Sequence, residues 1–157
     1  DTTVDANNHV ILVGEGATAR NTAEELERRG ISFIHIVASK GPSDASANVI
    51  EGDATNEAVL RQANIQKARM VIAAREDDGE NAFIVLGAKE LNPGVRVLAV
   101  ASSQRSIRRL KLARADVVFS PAAVGCRLLA DLVQGNEILP EFQDLLERQP
   151  AEKQART

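Results

Sequence analysis

Short apolar runs alternate along most of the chain with segments whose apolar residues recur at helical spacing. The apolar runs are typical of buried strands, and the segments between them of helices. Six strands are predicted, at residues 9–13, 31–37, 48–50, 70–74, 95–100 and 117–119. The helices between them are predicted at 17–29, 56–64, 78–91 and 103–113. This alternation predicts an α/β fold with a Rossmann-like, doubly wound parallel sheet of six strands.

The pattern changes after the sixth strand. Residues 122–134 and 138–148 are predicted as two helices that are separated at Gly135. Apolar stripes run along both helices, formed by Val124, Leu128, Leu129 and Leu132 and by Phe142, Leu145 and Leu146. A stripe beyond a completed sheet either covers that sheet or, if it stays exposed, marks a surface for a partner.

These boundaries divide the chain into four parts. A linker is predicted at 1–8, a Rossmann-like domain at 9–120, two helices at 121–148 and a disordered tail at 149–157. The chain begins at Asp1 rather than Met, so we expect an excised domain with further chain on its flanks.

Composition narrows the class of function. The net charge of −3 gives no general attraction to nucleic acid. The single cysteine, Cys126, excludes an internal disulfide and favours a reducing compartment. No apolar run is long enough to span a bilayer.

A glycine turn follows the first strand and opens the first helix. Gly14, Gly16 and Ala19 have the G-x-G-x-x-G/A spacing of a dinucleotide-binding turn. Gly14 permits the tight turn, Gly16 lets a phosphate approach the backbone, and Ala19 lets the helix pack closely. The helix N-terminus at Ala17 then offers N–H groups to an anion. The alternative is that the glycines only allow a close turn between strand and helix.

The end of the second strand departs from an NAD site. An acidic residue is expected there to bind the ribose hydroxyls, but Val37 occupies the position. Ser39 and Lys40 are the polar candidates for contact with a ribose or a 2′-phosphate. Glu15 adds a negative charge within the turn. We therefore expect an adenine nucleotide (AMP, ADP or ATP) or a degenerate pocket rather than NAD.

Acidic residues follow the third and fourth strands. Asp53 could contact an adenosine or a divalent cation, and Arg75 could reach a phosphate. Oxygen ligands from different loops suit calcium, which makes Asp53, Glu76 and Glu80 candidate Ca²⁺ ligands.

Helix capping is the alternative role for these acidic residues. Asp53 or Thr55 would cap the helix at 56–64, and Asp77 with Glu80 has the spacing of a capping box.

Catalytic groups are not apparent. Without tyrosine the chain cannot form a Tyr/Lys reductase pair, and His9 and His35 lie in predicted strands. Cys126 has no histidine near it in sequence and is expected to pack. We therefore predict that the chain is not an enzyme, with the cofactor half of an NAD(P)-dependent dehydrogenase as the alternative.

The chain resembles the RCK (regulator of K⁺ conductance) domain, also called the TrkA N-terminal domain, of bacterial potassium channels and transporters. The segments that carry the resemblance are 9–19, 52–55, 68–72, 77–93 and 115–121. It implies a ligand-sensing domain on the cytoplasmic face of the membrane that gates a potassium channel. A free-standing nucleotide-sensing subunit of a potassium transporter is the alternative within the family.

The resemblance also implies an assembly and a site. Such domains pair through the helices after the sixth strand, here 122–148, and channel copies form a ring of eight under the pore. Gly14, Gly16 and Ala19 would form the phosphate loop. Asp53 matches the family's Gly-Asp acid, and Glu76 falls where some calcium-gated members place a carboxylate.

Overall fold

A twisted parallel sheet forms the centre of the computed structural model, which describes residues 3–146. Its strands are Val10–Val13 (β1), Phe33–Val37 (β2), Val49–Glu51 (β3), Met70–Ala73 (β4), Arg96–Val100 (β5) and Val117–Phe119 (β6). The strand order is β3-β2-β1-β4-β5-β6, and every paired strand is parallel to its neighbour. The predicted six-stranded, doubly wound sheet is therefore confirmed.

Helices connect the strands as the sequence predicts. Their bounds are Ala17–Arg28 (α1), Glu57–Gln62 (α2), Asp78–Leu91 (α3), Gln104–Leu112 (α4), Pro121–Gln134 (α5) and Pro140–Gln143 (α6). Short 3-10 turns lie at Pro42–Asp44 and Ile65–Lys67.

The second C-terminal helix is shorter than predicted. The sequence places it at 138–148, but α6 begins at Pro140 and is followed by a turn after Gln143. Proline has no N–H to donate and favours an extended residue before it, and Leu139 is extended. The helix therefore cannot continue back to 138. The rest of that prediction beyond 146, and the predicted tail at 149–157, lie outside the described residues.

The two faces of the sheet bury different apolar clusters, because successive side chains of a strand point to opposite sides. Ile11 and Val13 of β1 belong to the larger cluster, which α2, α3 and α4 cover with residues such as Leu60, Ile84 and Leu110. Val10 and Leu12 belong to a smaller cluster on the opposite face. That cluster is covered by α1 through Ala19, Ala23 and Leu26.

The α1 face is less well covered over β4, β5 and β6. A row of apolar side chains crosses these strands on that face: Met70, Ile72, Leu98, Val100, Val117 and Phe119. The first four are half-buried, and Val117 and Phe119 are 39% and 44% exposed. Doubly wound sheets normally have helices on both faces, but no helix of the first unit, residues 3–122, buries these side chains fully.

Residues 3–8, where a linker is predicted, lie against the domain. The N–H of Val4 donates to the carbonyl of Gln62 (3.0 Å), and that of Asn8 donates to the carbonyl of Lys67 (2.7 Å). The side chains of Val4 and Ala6 pack partly into the larger cluster.

The chain divides into two compact units after Ala122. Within the second unit, α5 carries the predicted apolar stripe, in which Leu129 is 65% and Leu132 40% exposed. Val133, one residue further along the helix, is 87% exposed. Within this unit, these apolar side chains of α5 are therefore not packed into a core.

Candidate functional site

A cavity of about 340 Å³ opens at the carboxyl ends of the central strands. From β1 the strands run through β2 to β3 at one edge of the sheet, and β4 then lies on the other side of β1, so the strand order reverses between β1 and β4. Doubly wound sheets bind their ligands at this reversal point. The cavity is lined by Gly16, Ala17, Thr18, Ala74, Arg75, Glu76, Val100, Ala101, Ser102, Pro121 and Ala122. Four of the predicted site residues thus meet at one place: Gly16, Ala17, Arg75 and Glu76.

The glycine turn has the geometry that the motif predicts. Gly14 adopts a φ of +136°, which disfavours any side chain, and a Cβ there would overlap the backbone carbonyl of Ala74. Gly16 is the N-cap of α1. A Cβ at Gly16 would overlap the carboxylate of Glu76, so Glu76 is the acidic side chain that lies against this part of the turn. Ala19 is fully buried beneath the turn, as expected.

A buried histidine holds the glycine turn from below. His35 on β2 is 3% exposed, and its Nε2 lies 2.6 Å from the carbonyl oxygen of Gly14. A carbonyl can only accept, so Nε2 carries the proton and donates. The sequence assigned His35 a packing role, and this bond gives that role a specific purpose.

Arg75, which follows β4, forms ion pairs with the glycine turn after β1 and with the first turn of α3. Its Nη1 lies 2.8 Å from Oε1 of Glu15, and its Nε lies 3.0 Å from Oε2 of Glu80. Burial disfavours the charged guanidinium, but the hydrogen bond to Glu80 and the nearby carboxylates outweigh burial and raise the pKa of Arg75. A cation therefore lines the cavity.

The carboxylate of Glu15, which the sequence places within the glycine turn, reaches from this turn to the end of β2. Its Oε2 accepts a hydrogen bond of 2.6 Å from the N–H of Ala38, the residue directly after β2. Val37, where the sequence expects the ribose acid, is fully buried. The carboxylate at this strand end is therefore supplied by the glycine turn.

Asn81 is a site residue that the sequence analysis missed. It is fully buried in α3, its Oδ1 accepts from the N–H of Arg75 (2.9 Å), and its Nδ2 donates to the carbonyl of Arg75 (2.8 Å). The same Nδ2 donates to the carbonyl of Val100 (2.9 Å). Asn81 thus connects the loops after β4 and β5. The available signal was its spacing: Asn81 precedes Ile84 and Val85 by three and four positions and therefore lies on the apolar face of the helix.

Asp53 forms a local turn after β3. Its Oδ1 accepts from both the hydroxyl (2.6 Å) and the N–H (2.9 Å) of Thr55. These bonds, and to a smaller degree the charge of Arg75, lower the pKa of Asp53. The prediction that Asp53 or Thr55 caps the next helix is wrong. Asn56 is the N-cap of α2 and accepts from the N–H of Ala58, since it directly precedes the helix.

The candidate calcium ligands are not assembled. Among residues 3–146 no three histidine, cysteine or acidic side chains are placed to hold a metal ion. Glu80 is instead paired with Arg75. A Ca²⁺ site at Asp53, Glu76 and Glu80 stays a prediction. Ser39 is exposed and lies outside the residues that line the cavity.

The fold and the glycine turn agree with a known domain. The sequence profile of the TrkA-N domain matches residues 10–121, which include all six strands. The chain belongs to the TrkA-N domain family. No helix within residues 3–146 is long and apolar enough to cross a membrane.

Relatives of this TrkA-N domain include potassium channels. It is 31% identical to the voltage-gated potassium channel Kch of Escherichia coli over 87% of this chain and 34% of the relative. It is 32% identical to potassium channel protein 1 of Methanocaldococcus jannaschii over 89% of this chain and 44% of the relative. The chain thus spans between a third and a half of the length of these two relatives.

Solved structures place the same fold beside nucleotides. GsuK bound to ADP matches with a TM-score of 0.73 and 31% identity, over 85% of this chain and 36% of GsuK. The GsuK channel bound to NAD matches with a TM-score of 0.71 and 31% identity, over 83% of this chain and 24% of GsuK.

Proposed function

We propose that this TrkA-N domain binds an adenine nucleotide in the crevice between β1 and β4, and that binding regulates a potassium channel pore. The observation that carries the proposal is the cavity at the N-terminus of α1, which Gly16, Ala17 and Thr18 line together with the cation of Arg75 and the carboxylate of Glu76, which lies against Gly16. Free N–H groups and a positive side chain together suit a phosphate. The ADP and NAD complexes of GsuK support the same class of ligand.

The site holds a ligand rather than performing chemistry on it. The two histidines are buried and bonded to the carbonyls of Ala63 and Gly14, so neither projects into the cavity as an acid or base. Regulation requires the ligand to bind two states of the protein with different affinity. We propose that the domain lies on the cytoplasmic face of the membrane and acts on a pore in the same or an associated chain.

A charge placed in the first turn of α1 tests the binding site. Thr18 is exposed and lines the cavity. Thr18→Glu places a carboxylate where the phosphate would lie, while an acid in a first helical turn favours the helix. We expect the variant to keep or raise its melting temperature without ligand and to lose the rise that millimolar ADP gives the parent domain. Differential scanning fluorimetry measures both.

Thr18→Gln is the matched control, because it has the same size without the charge. It should keep most of the ADP-dependent rise. Equal responses of the glutamate variant and the parent would place the nucleotide elsewhere. The same screen includes AMP, ATP, NAD⁺ and Ca²⁺, so a rise with Ca²⁺ alone would favour the calcium prediction instead.

The regulatory step is tested in the full-length protein. We expect ADP to change the potassium flux of reconstituted parent protein, and the change to be absent in Thr18→Glu. A full-length gene without membrane helices would instead favour a free-standing transporter subunit. Hydride transfer by the intact protein would favour the alternative that this chain is the cofactor half of an NAD(P)-dependent dehydrogenase.

A further inference from the structure

The carboxylate at the end of β2 comes from an unexpected part of the chain. Nucleotide-binding sheets of this type place an acid at this strand end to accept hydrogen bonds from ribose hydroxyls. Here the strand ends in the buried Val37, followed by the exposed Ala38. Glu15 reaches the same position from the glycine turn, with Oε2 2.6 Å from the N–H of Ala38.

We propose that Glu15 is the ribose-binding acid of this domain and selects adenine nucleotides with a free 2′-hydroxyl. This assignment rests on the proposed function, since it names the group that reads the nucleotide's sugar. Glu15 lies beside Gly16, which is proposed to approach the phosphates. A ribose next to those phosphates is therefore within reach of the Glu15 carboxylate.

The carboxylate is held in place and still has capacity for a ligand. Ala38 donates to one oxygen and Arg75 donates to the other at 2.8 Å. Each carboxylate oxygen can accept two hydrogen bonds, so one position on each oxygen remains for the two hydroxyls of a ribose. The side chain is 32% exposed, and it adjoins the cavity through its neighbour Gly16 and its partner Arg75 rather than lining it.

The negative charge of Glu15 also disfavours nucleotides that carry a 2′-phosphate. A ribose 2′-hydroxyl would donate a hydrogen bond to the Glu15 carboxylate, whereas a 2′-phosphate at the same place would be repelled by its negative charge. Arg75 is already shared between Glu15 and Glu80 and cannot fully offset a second negative group. We therefore expect NADP⁺ to bind more weakly than NAD⁺.

The assignment is tested by comparing the parent domain with Glu15 variants, each with two nucleotides that differ only in the 2′-hydroxyl. Isothermal titration calorimetry with ADP and 2′-deoxy-ADP gives two dissociation constants for each protein. The parent domain should prefer ADP by about tenfold or more, because a hydrogen bond to a charged group is lost with the 2′-hydroxyl. Glu15→Ala should bind both nucleotides with nearly equal affinity. Glu15→Gln, which keeps the size of the side chain, should reduce the ratio of the two dissociation constants, while its melting temperature stays close to that of the parent.

Glu27→Ala is the control, since it removes an exposed glutamate from the last turn of α1, at the opposite end of the helix from the glycine turn, and should keep the preference for ADP. Two results would overturn the assignment while leaving the proposed function intact. One is a parent domain that binds ADP and 2′-deoxy-ADP equally well. The other is a Glu15→Ala variant that keeps the parent's preference. If the parent binds neither nucleotide, the proposed function fails, and the assignment fails with it.

Discussion

At the scale of single residues, the site depends on buried polar side chains that position exposed ones. Asn81 forms hydrogen bonds to the N–H and the carbonyl of Arg75 and to the carbonyl of Val100. His35 does the same for the carbonyl of Gly14. Because a buried polar group without a partner is costly, each bond fixes the backbone of a loop that lines or adjoins the cavity.

Replacing Asn81 with leucine tests this positioning. The change keeps a similar volume but leaves the N–H of Arg75 and two carbonyls without their partner. We expect it to lower the free energy of unfolding by about 2–4 kcal/mol, measured by urea denaturation. Asn92→Leu removes a similar amide at the end of α3, distant from the cavity, and serves as the control. Both variants should lose stability, but only Asn81→Leu should weaken ADP binding at temperatures where it remains folded.

At the scale of elements, the loop after β4 serves both α3 and the cavity. Asp77 caps α3 by accepting from the N–H of Glu80 at 2.9 Å, as the capping-box spacing predicts. The side chain of Glu80 binds Arg75 rather than returning to Asp77. The start of the helix and the cation that lines the cavity are therefore held by neighbouring residues.

Removal of this cap is expected to destabilise α3. Asp77→Ala should lower the free energy of unfolding by about 1 kcal/mol, whereas Asp77→Ser keeps a side-chain acceptor and should cost little. Thermal or urea denaturation compares the two. Equal losses for alanine and serine would mean that the negative charge of Asp77, rather than its hydrogen bond, stabilises the helix.

At the scale of the whole molecule, each of the two units carries apolar side chains that its own elements do not bury. In the first unit they lie on the half of the sheet at β4–β6, where Phe119 is 44% exposed, and in the second they form the stripe on α5. We propose that a second copy of the chain covers these surfaces, because exposed apolar surface of this extent is typical of an interface.

Charged substitutions in α5 test self-association. Leu129→Glu with Val133→Glu should shift the domain toward monomer by at least tenfold in dissociation constant, measured by analytical ultracentrifugation, because two carboxylates would be desolvated at the interface. Leu112→Glu, at a position on α4 that is 75% exposed, is the control and should leave pairing unchanged. A parent domain that stays monomeric at high concentration would contradict the proposal.

The local sequence pattern by itself determined the strands, most of the helices and the glycine turn of this protein. The alternation of apolar runs with helical spacing predicts all six strands and their helices, because burial on both faces demands continuous apolar strands. The glycine spacing predicts the turn at Gly14 and Gly16, because few other residues fit a positive φ or a close approach. Local patterning also predicts the cap at Asp77. It fails at α6, where Pro140 limits the start of the helix.

The identity of the side chains that meet at the crevice was decided only by the tertiary structure. Glu15 and Ala38 are separated by 23 positions, and Glu15 and Arg75 by 60. The sequence shows Val37 rather than an acid at the end of β2, and the fold buries Val37 and brings the Glu15 carboxylate to this strand end from another loop. The physical reason is that strand order sets which chain segments become neighbours, while side-chain reach and burial decide which group occupies the shared space.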